Sequence, residues 1–240
     1  MGTTSVNAER KPPYDHESLQ FQRNILQWMI RHIGFRFLAK IDGIKGVENI
    51  PSDGPAILIY NHIAFVDPVV ILGLMPRNVV PLAKAESYDE PIWGIFPKLW
   101  DVIPVRREEL DRGAIRSALK VLQAGEILLI APEGTRNENL QEGKEGVAYL
   151  AVKSSAPVVP VAVYGTKGFP SFSPQRWREE GATVRVGKPF WFRETPDRVG
   201  LEHLRKMTDE AMYKLAELLP EELRGVYSDS KKATQDTIVY

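Results

Sequence analysis

The 240 residues include no cysteine, which excludes disulfides, a thiolate nucleophile and thiolate metal sites, and leaves the redox compartment open. Charge of one sign is also missing. The 31 basic and 31 acidic residues cancel, which speaks against the broad positive field of a nucleic-acid binder, so any anion site must be local. No run of eighteen uncharged apolar residues occurs, and nothing is expected to span a bilayer as a helix. Met1 to Asp15 are polar and proline-containing, so no signal peptide is expected. There is no internal repeat. With 43% hydrophobic residues, the chain is long enough for one sizeable core and too short for two comfortable ones.

One local absence stands out, since Leu19 to Ile41 carries Arg23, Arg31, Arg36 and Lys40 and no acidic residue. As a helix it places Gln20, Asn24, Gln27 and Arg31 on a narrow stripe, while Phe21, Ile25, Leu26, Trp28, Met29, Ile33, Phe35 and Phe37 cover most of the remaining circumference. That face suits a membrane interface and equally a helix clamped between the core and another element.

Beyond it, strand and helix patterns alternate. Strands are expected at Pro55 to Tyr60, Val79 to Ala83, Val102 to Val105, Ile127 to Ile130, Pro157 to Val163 and Thr183 to Val186. Helices are expected from Asp67 to Leu74, with Asp67 as N-cap and Pro68 in the first turn, and over Leu110 to Leu122, Gly146 to Lys153 and Leu201 to Leu219. Pro91 to Trp100 reads as a broken amphipathic helix. The expected fold class is α/β: a single domain with a mostly parallel sheet covered by helices on both faces, plus the N-terminal amphipathic helix. Residues 1–41 would form the extension, 42–225 the main domain and 226–240 a disordered tail. Functional groups should gather at the carboxyl ends of the strands.

Two strings fall there: Asn61-His62-Ile63-Ala64-Phe65-Val66-Asp67 and Pro132-Glu133-Gly134-Thr135-Arg136. A His followed five positions later by Asp arises by chance in about one such chain in five, whereas the pentapeptide does so on the order of one time in ten thousand. His62 and Asp67 lie about 140° apart on a helix and on opposite faces of a strand. They can meet only across a bend, and the junction between Tyr60 and Pro68 supplies one. Asp67 would then fix the imidazole tautomer while the other nitrogen takes a proton from a hydroxyl; otherwise Asp67 is only an N-cap and His62 a core histidine. Arg136 and Arg107 suit phosphate, because a guanidinium forks onto its oxygens. Gly134 lets the backbone approach a ligand and Thr135 adds a hydroxyl. Glu133 could hold a second hydroxyl, orient an arginine, or pair with Arg136 in an ordinary surface turn.

In these strings the chain resembles the glycerophospholipid acyltransferases typified by 1-acyl-glycerol-3-phosphate acyltransferase, whose pattern is Asn-His-x4-Asp followed by Glu-Gly-Thr-Arg. Val102-Ile103-Pro104-Val105-Arg106-Arg107 and Val158-Val159-Pro160-Val161-Ala162 look like two weaker family blocks, in the same order. The likeness spans roughly residues 42–190 and departs at Ala64, where Ser is common, at Asp101, where Gly is usual, and at Ala131 and Asn137. None of these removes an ionisable group, though Asp101 puts a negative charge beside the expected phosphate site.

The resemblance implies acyl transfer from a thioester to a hydroxyl, with His62 and Asp67 catalytic and with Asn61, Lys84, Arg107, Glu133, Gly134, Thr135, Arg136 and Lys144 in the substrate-binding set. It implies a lysophospholipid acceptor, lysophosphatidic acid first, and acyl-CoA or acyl carrier protein as donor substrate, with no cofactor and no metal. Another lysolipid, a glycolipid acceptor, or a non-catalytic lipid- or CoA-binding module of the same fold remain alternatives. A metal-dependent hydrolase would need a third ligand, and His16, His32 and His203 lie outside the motifs. Trp93, Phe96, Leu99 and Trp100 could line an acyl tunnel or be plain core. The loop Gly165 to Gly181, with Phe169, Phe172, Trp177, Lys167, Arg176 and Arg178, suits a membrane surface, CoA phosphates or an ordinary long loop. The expected location is peripheral, on the cytoplasmic face of a membrane.

Overall fold

In the computed structural model the described residues are 16–91, 94–106, 111–193 and 199–240. Strands β2 (Ala56–Tyr60) and β5 (Ile127–Ile130) are apolar and buried at every position, as strands covered on both faces must be. They pair in parallel, Ala56 opposite Ile127 through Ile59 opposite Ile130. With β1 (Ile41–Lys45), β3 (Val79–Lys84), β4 (Ile103–Val105), β6 (Val158–Tyr164) and β7 (Ala182–Val186) they form a seven-stranded sheet in the order β1-β7-β6-β2-β5-β3-β4. Every pairing is parallel except β6 with β7. Five strands therefore end at one edge, as the α/β expectation requires.

The alternation of side chains along β2 divides the core. Ala56, Leu58 and Tyr60 pack in one layer with α1 (His16–His32), α2 (Asp67–Leu74) and Trp100 of α3 (Ile95–Trp100), and Ile57 and Ile59 in the other with α4 (Arg112–Gln123), α5 (Gly146–Ser154) and α7 (Leu201–Ala216). Leu110, where the fourth helix was expected to begin, lies outside the described residues, as does Trp93. Asp101 ends α3 in the left-handed region, φ 52°; this conformation favours glycine, the residue usual at this place in the family pattern.

Three expectations need correction. The N-terminal helix stops at His32, followed by a 3-10 turn at Gly34–Arg36, and Ile41 already belongs to β1. Residues 16–41, the described part of the expected extension, are thus not set apart from the domain: α1 packs on α2 and α3. Its orientation is also inverted relative to an ordinary surface helix. Arg23 and Gln27 are buried, while Phe21, Ile25, Trp28, Met29, Ile33 and Phe37 are exposed. The reason lies in the carbonyls that end α2 and α3. Gln27 donates to Leu72 and Met75, Arg31 to Gly73 and Met75, and Arg23 to Trp100, satisfying groups that a helix C-terminus leaves open and placing cations at its negative end. Gly73 makes the approach possible, since a Cβ there would meet Ile30 and Phe35 at 2.5 Å.

The tail is the third correction, being docked where disorder was expected. β9 (Ile238–Val239) pairs with β8 (Trp191–Phe192), and Thr237 and Ile238 are buried. The carboxylate of Glu210 on α7 accepts from the Thr234 and Thr237 hydroxyls and from the Asp236 and Thr237 amides. A polar sequence without periodicity gave no sign of this, because the partner is one buried carboxylate on a distant helix.

Candidate active site

Between β2 and α2 the chain turns sharply, and the bend brings His62 and Asp67 together with Nδ1 and Oδ2 at 3.0 Å. Asp67 is fully buried. It does not act as the expected N-cap, a place taken by Val66 without a side-chain bond. Its Oδ2 instead reaches back to accept from the Ile63 and Ala64 amides at 2.6 and 2.7 Å, since inward-facing amides of a tight bend need an acceptor. The same oxygen meets His62, so the bend and the imidazole are held by one carboxylate. The His62 side chain is 15% exposed, and with Nδ1 engaged, Nε2 is the nitrogen free for chemistry.

His62 lines a cavity of about 540 Å³ whose wall also includes Lys84, Gly134, Thr135, Arg136 and Lys144. The structure thus brings together most of the sequence-derived set at the ends of β2, β3 and β5. Arg107 lies outside the described residues. Its neighbour Arg106, just past β4, lines the cavity and was not singled out; its place at a strand end beside Lys84's strand was the available signal. A Cβ on Gly134, whose φ is 72°, would meet the Lys144 ammonium at 3.4 Å. Lys144 therefore lies over the Gly-Thr-Arg turn, and the turn carries a concentrated positive charge in a chain with no net charge.

Two members of the binding set face elsewhere. The Asn61 amide bonds both backbone groups of Val163, at 2.7 and 2.8 Å, prolonging the β2–β6 ladder by a side chain, and it does not line the cavity. Glu133 is buried, and it accepts from the amides of His62 and Gln141 and from the Asn137 side chain. It neither pairs with Arg136 nor lines the cavity, and the surface-turn reading fails with it. Burial pushes its carboxyl above the ordinary glutamate range, and the charge of Asp67 adds to the effect. Its chemistry is to tie the Glu-Gly-Thr-Arg turn to the histidine backbone.

The cavity walls are mostly apolar and reach both faces of the sheet. Leu72, Phe96 and Trp100 line it on the α1–α3 side, Ala114, Ala118 and Leu150 on the α4–α5 side. The passage opens because β3 pairs with β5 only over Val79–Pro81 and then continues beside β4 alone. Of the tunnel candidates, Phe96 and Trp100 take part, whereas Leu99 is exposed.

The loop Gly165 to Gly181 is structured. It contains α6 (Pro174–Arg178), buries Phe169, and turns Arg176 inward onto the carbonyls of Gly165, Lys167 and Glu180. Arg176 is therefore spent within the loop, unlike an arginine waiting for CoA phosphates. Of its aromatic side chains Phe172 alone is exposed, alongside Lys167 and Arg178. Among the described residues no three His, Asp or Glu side chains converge as a metal site would need.

The chain is 28% identical over 172 residues to the 1-acyl-sn-glycerol-3-phosphate acyltransferase of Bacillus subtilis (strain 168), covering 71% of this chain and 84% of that protein. It is 33% identical over 130 residues to the protein of that name from Borreliella burgdorferi, covering 52% of each, so it spans about half the length of that relative. Its fold matches the crystal structure of the 1-acyl-sn-glycerophosphate acyltransferase from Thermotoga maritima with a TM-score of 0.62 at 24% identity, over 90% of this chain and 85% of that one. Residues 43–164 match the acyltransferase family, and this chain belongs to that family and is an acyltransferase.

Proposed function

We propose that the protein moves a fatty acyl group from acyl-CoA or an acyl carrier protein to the free hydroxyl of a lysophospholipid, with 1-acyl-glycerol-3-phosphate as the acceptor and phosphatidic acid as the product. One observation carries this reading: a His62–Asp67 pair opens onto a cavity that joins a cationic rim to apolar walls. A phosphate, a hydroxyl and acyl chains each find their complement there.

Nε2 of His62 removes the acceptor's hydroxyl proton as its oxygen attacks the thioester carbonyl carbon. Asp67 holds the tautomer and stabilises the imidazolium. Collapse of the tetrahedral intermediate breaks the carbon–sulfur bond, and the imidazolium returns the proton to the leaving sulfur. The thioester is already activated, so neither a protein nucleophile nor a cofactor is required. Arg136, with Lys144 and Lys84, holds the acceptor phosphate and thereby fixes the hydroxyl relative to His62. Thr135 donates beside them. Asn61 and Glu133 serve the scaffold.

Membrane-bound acceptors require access, and the exposed apolar face of α1 supplies a surface that lies in the lipid interface. No helix among the described residues is long and apolar enough to cross a membrane, and the proposed attachment is peripheral.

The base assignment is tested by His62→Ala in a folded protein. A drop of kcat by about 10² or more is expected, and retention of more than about a tenth of wild-type kcat would end it. Asp67→Asn should cost less and still lower kcat severely.

A further inference from the structure

The carboxylate of Asp67 has two oxygens, and the bend and His62 occupy only Oδ2. Oδ1 accepts from the Thr166 hydroxyl at 2.5 Å. Thr166 is 0% exposed and stands two residues beyond β6, ninety-nine positions from Asp67 in the sequence. Its backbone is fixed from the other side. The Arg176 guanidinium bonds the carbonyls on either side of Thr166, those of Gly165 and Lys167, both at 2.7 Å, and lies 3.9 Å over the Phe169 ring. The Phe169 amide closes a turn onto the Thr166 carbonyl. Gly165, at φ 74°, passes so close to Gly181 that a Cβ would meet its carbonyl oxygen at 2.2 Å. The fold of the Gly165–Gly181 loop thus converges on where one hydroxyl points.

We infer that Thr166 is a positioning residue for the acyl transfer, holding Asp67 by Oδ1 so that Oδ2 stays on the imidazole, with Arg176 as the clamp that sets Thr166. This rests on the reading of His62 as base. A carboxylate without this donor keeps three partners on one oxygen and a buried, unsatisfied oxygen on the other, and it relieves the imbalance by turning about its χ2 bond. That rotation moves Oδ2 off the line to Nδ1. Neither Thr166 nor Arg176 lines the cavity, so the effect belongs to turnover and not to binding.

Thr166→Val keeps the shape and removes the donor, and Thr166→Ser keeps the donor and removes a methyl group. The valine variant should lose between about tenfold and a hundredfold in kcat, with KM for lysophosphatidic acid and acyl-CoA unchanged within about twofold, as expected for one charge-assisted hydrogen bond acting through another residue. The serine variant should recover to within about threefold of wild type. Thermal unfolding monitors the fold, and Thr166→Ala takes the place of the valine variant should the latter not fold. Undiminished kcat in the folded valine or alanine variant, an equal fall in the serine variant, or a rise in either KM matching the loss in kcat would overturn the inference. If His62→Ala is itself active, the base reading fails; if His62→Ala is dead and Thr166→Val fully active, only the positioning role does.

Discussion

Arg136 follows Gly134 in a turn whose conformation glycine makes cheap, and Lys144 lies across it. A phosphomonoester brought to this rim would meet the forked cation of Arg136 beside the point-like ones of Lys84 and Lys144, and the fork would carry the geometric selection. Arg136→Lys retains the charge and loses the fork. KM for lysophosphatidic acid should rise roughly tenfold while that for acyl-CoA stays within about twofold, measured by initial rates with each substrate varied in turn. Equal damage to both would assign the arginine to the donor or to the turn. The two strings named His62, Asp67 and Arg136, and the structure sets the first two in contact across a five-residue bend and lines one cavity with His62 and Arg136. They did not show that Asn61 and Glu133 turn away from the cavity. Their partners, Val163 for Asn61 and the His62 amide for Glu133, lie on segments that only the folded sheet brings near.

Single elements were legible where their apolar pattern was regular and illegible where one polar contact decides. The docked tail is the clearest case. Burial works against ionisation of Glu210, yet the Thr234 and Thr237 hydroxyls and the Thr237 and Asp236 amides outweigh it and hold the carboxyl below its ordinary range. A lowered native value means that the stabilisation is present above the ordinary glutamate value and is lost as pH falls through the native one. Residues 228–240 should therefore resist carboxypeptidase and hydrogen exchange at neutral pH and open on acidification. Glu210→Gln should open them at neutral pH, since the amide cannot accept from all four donors; the cost is on the order of 2 kcal/mol. A tail equally protected in the variant would show that the β8–β9 pairing suffices alone.

For the molecule as a whole, the inverted α1 changes how attachment to lipid should behave. Four basic residues in Leu19 to Ile41 suggest strong dependence on anionic lipid and on salt. In the structure Arg23 and Arg31 serve the carbonyls of α3 and α2, and Lys40 pairs with Asp42. Arg36 stays exposed among outward side chains that are largely apolar, with Phe21 75%, Trp28 56% and Phe37 55% exposed. Binding to vesicles should survive high salt and fall when Phe21→Ser and Trp28→Ser are combined. The thermal midpoint should stay near wild type, because exposed groups add little to the fold. Co-sedimentation measures both. Release of the wild-type protein by salt would place the contact on charge elsewhere.

The sequence alone determined the α/β class and set both strings at one strand edge, and the resemblance those strings carry implied acyl transfer. The class and the placement are written in short-range order, as apolar runs, helical spacing and a bend between His62 and Asp67. Tertiary structure decided which face of α1 turns inward, where the tail rests, and that Thr166 backs Asp67. A helix with two usable faces buries the one whose partners are waiting, here the open carbonyls of α2 and α3. Hydrogen bonds between residues as far apart as Asp67 and Thr166 leave no periodicity along the chain, since what places them together is the parallel register of β2 and β6.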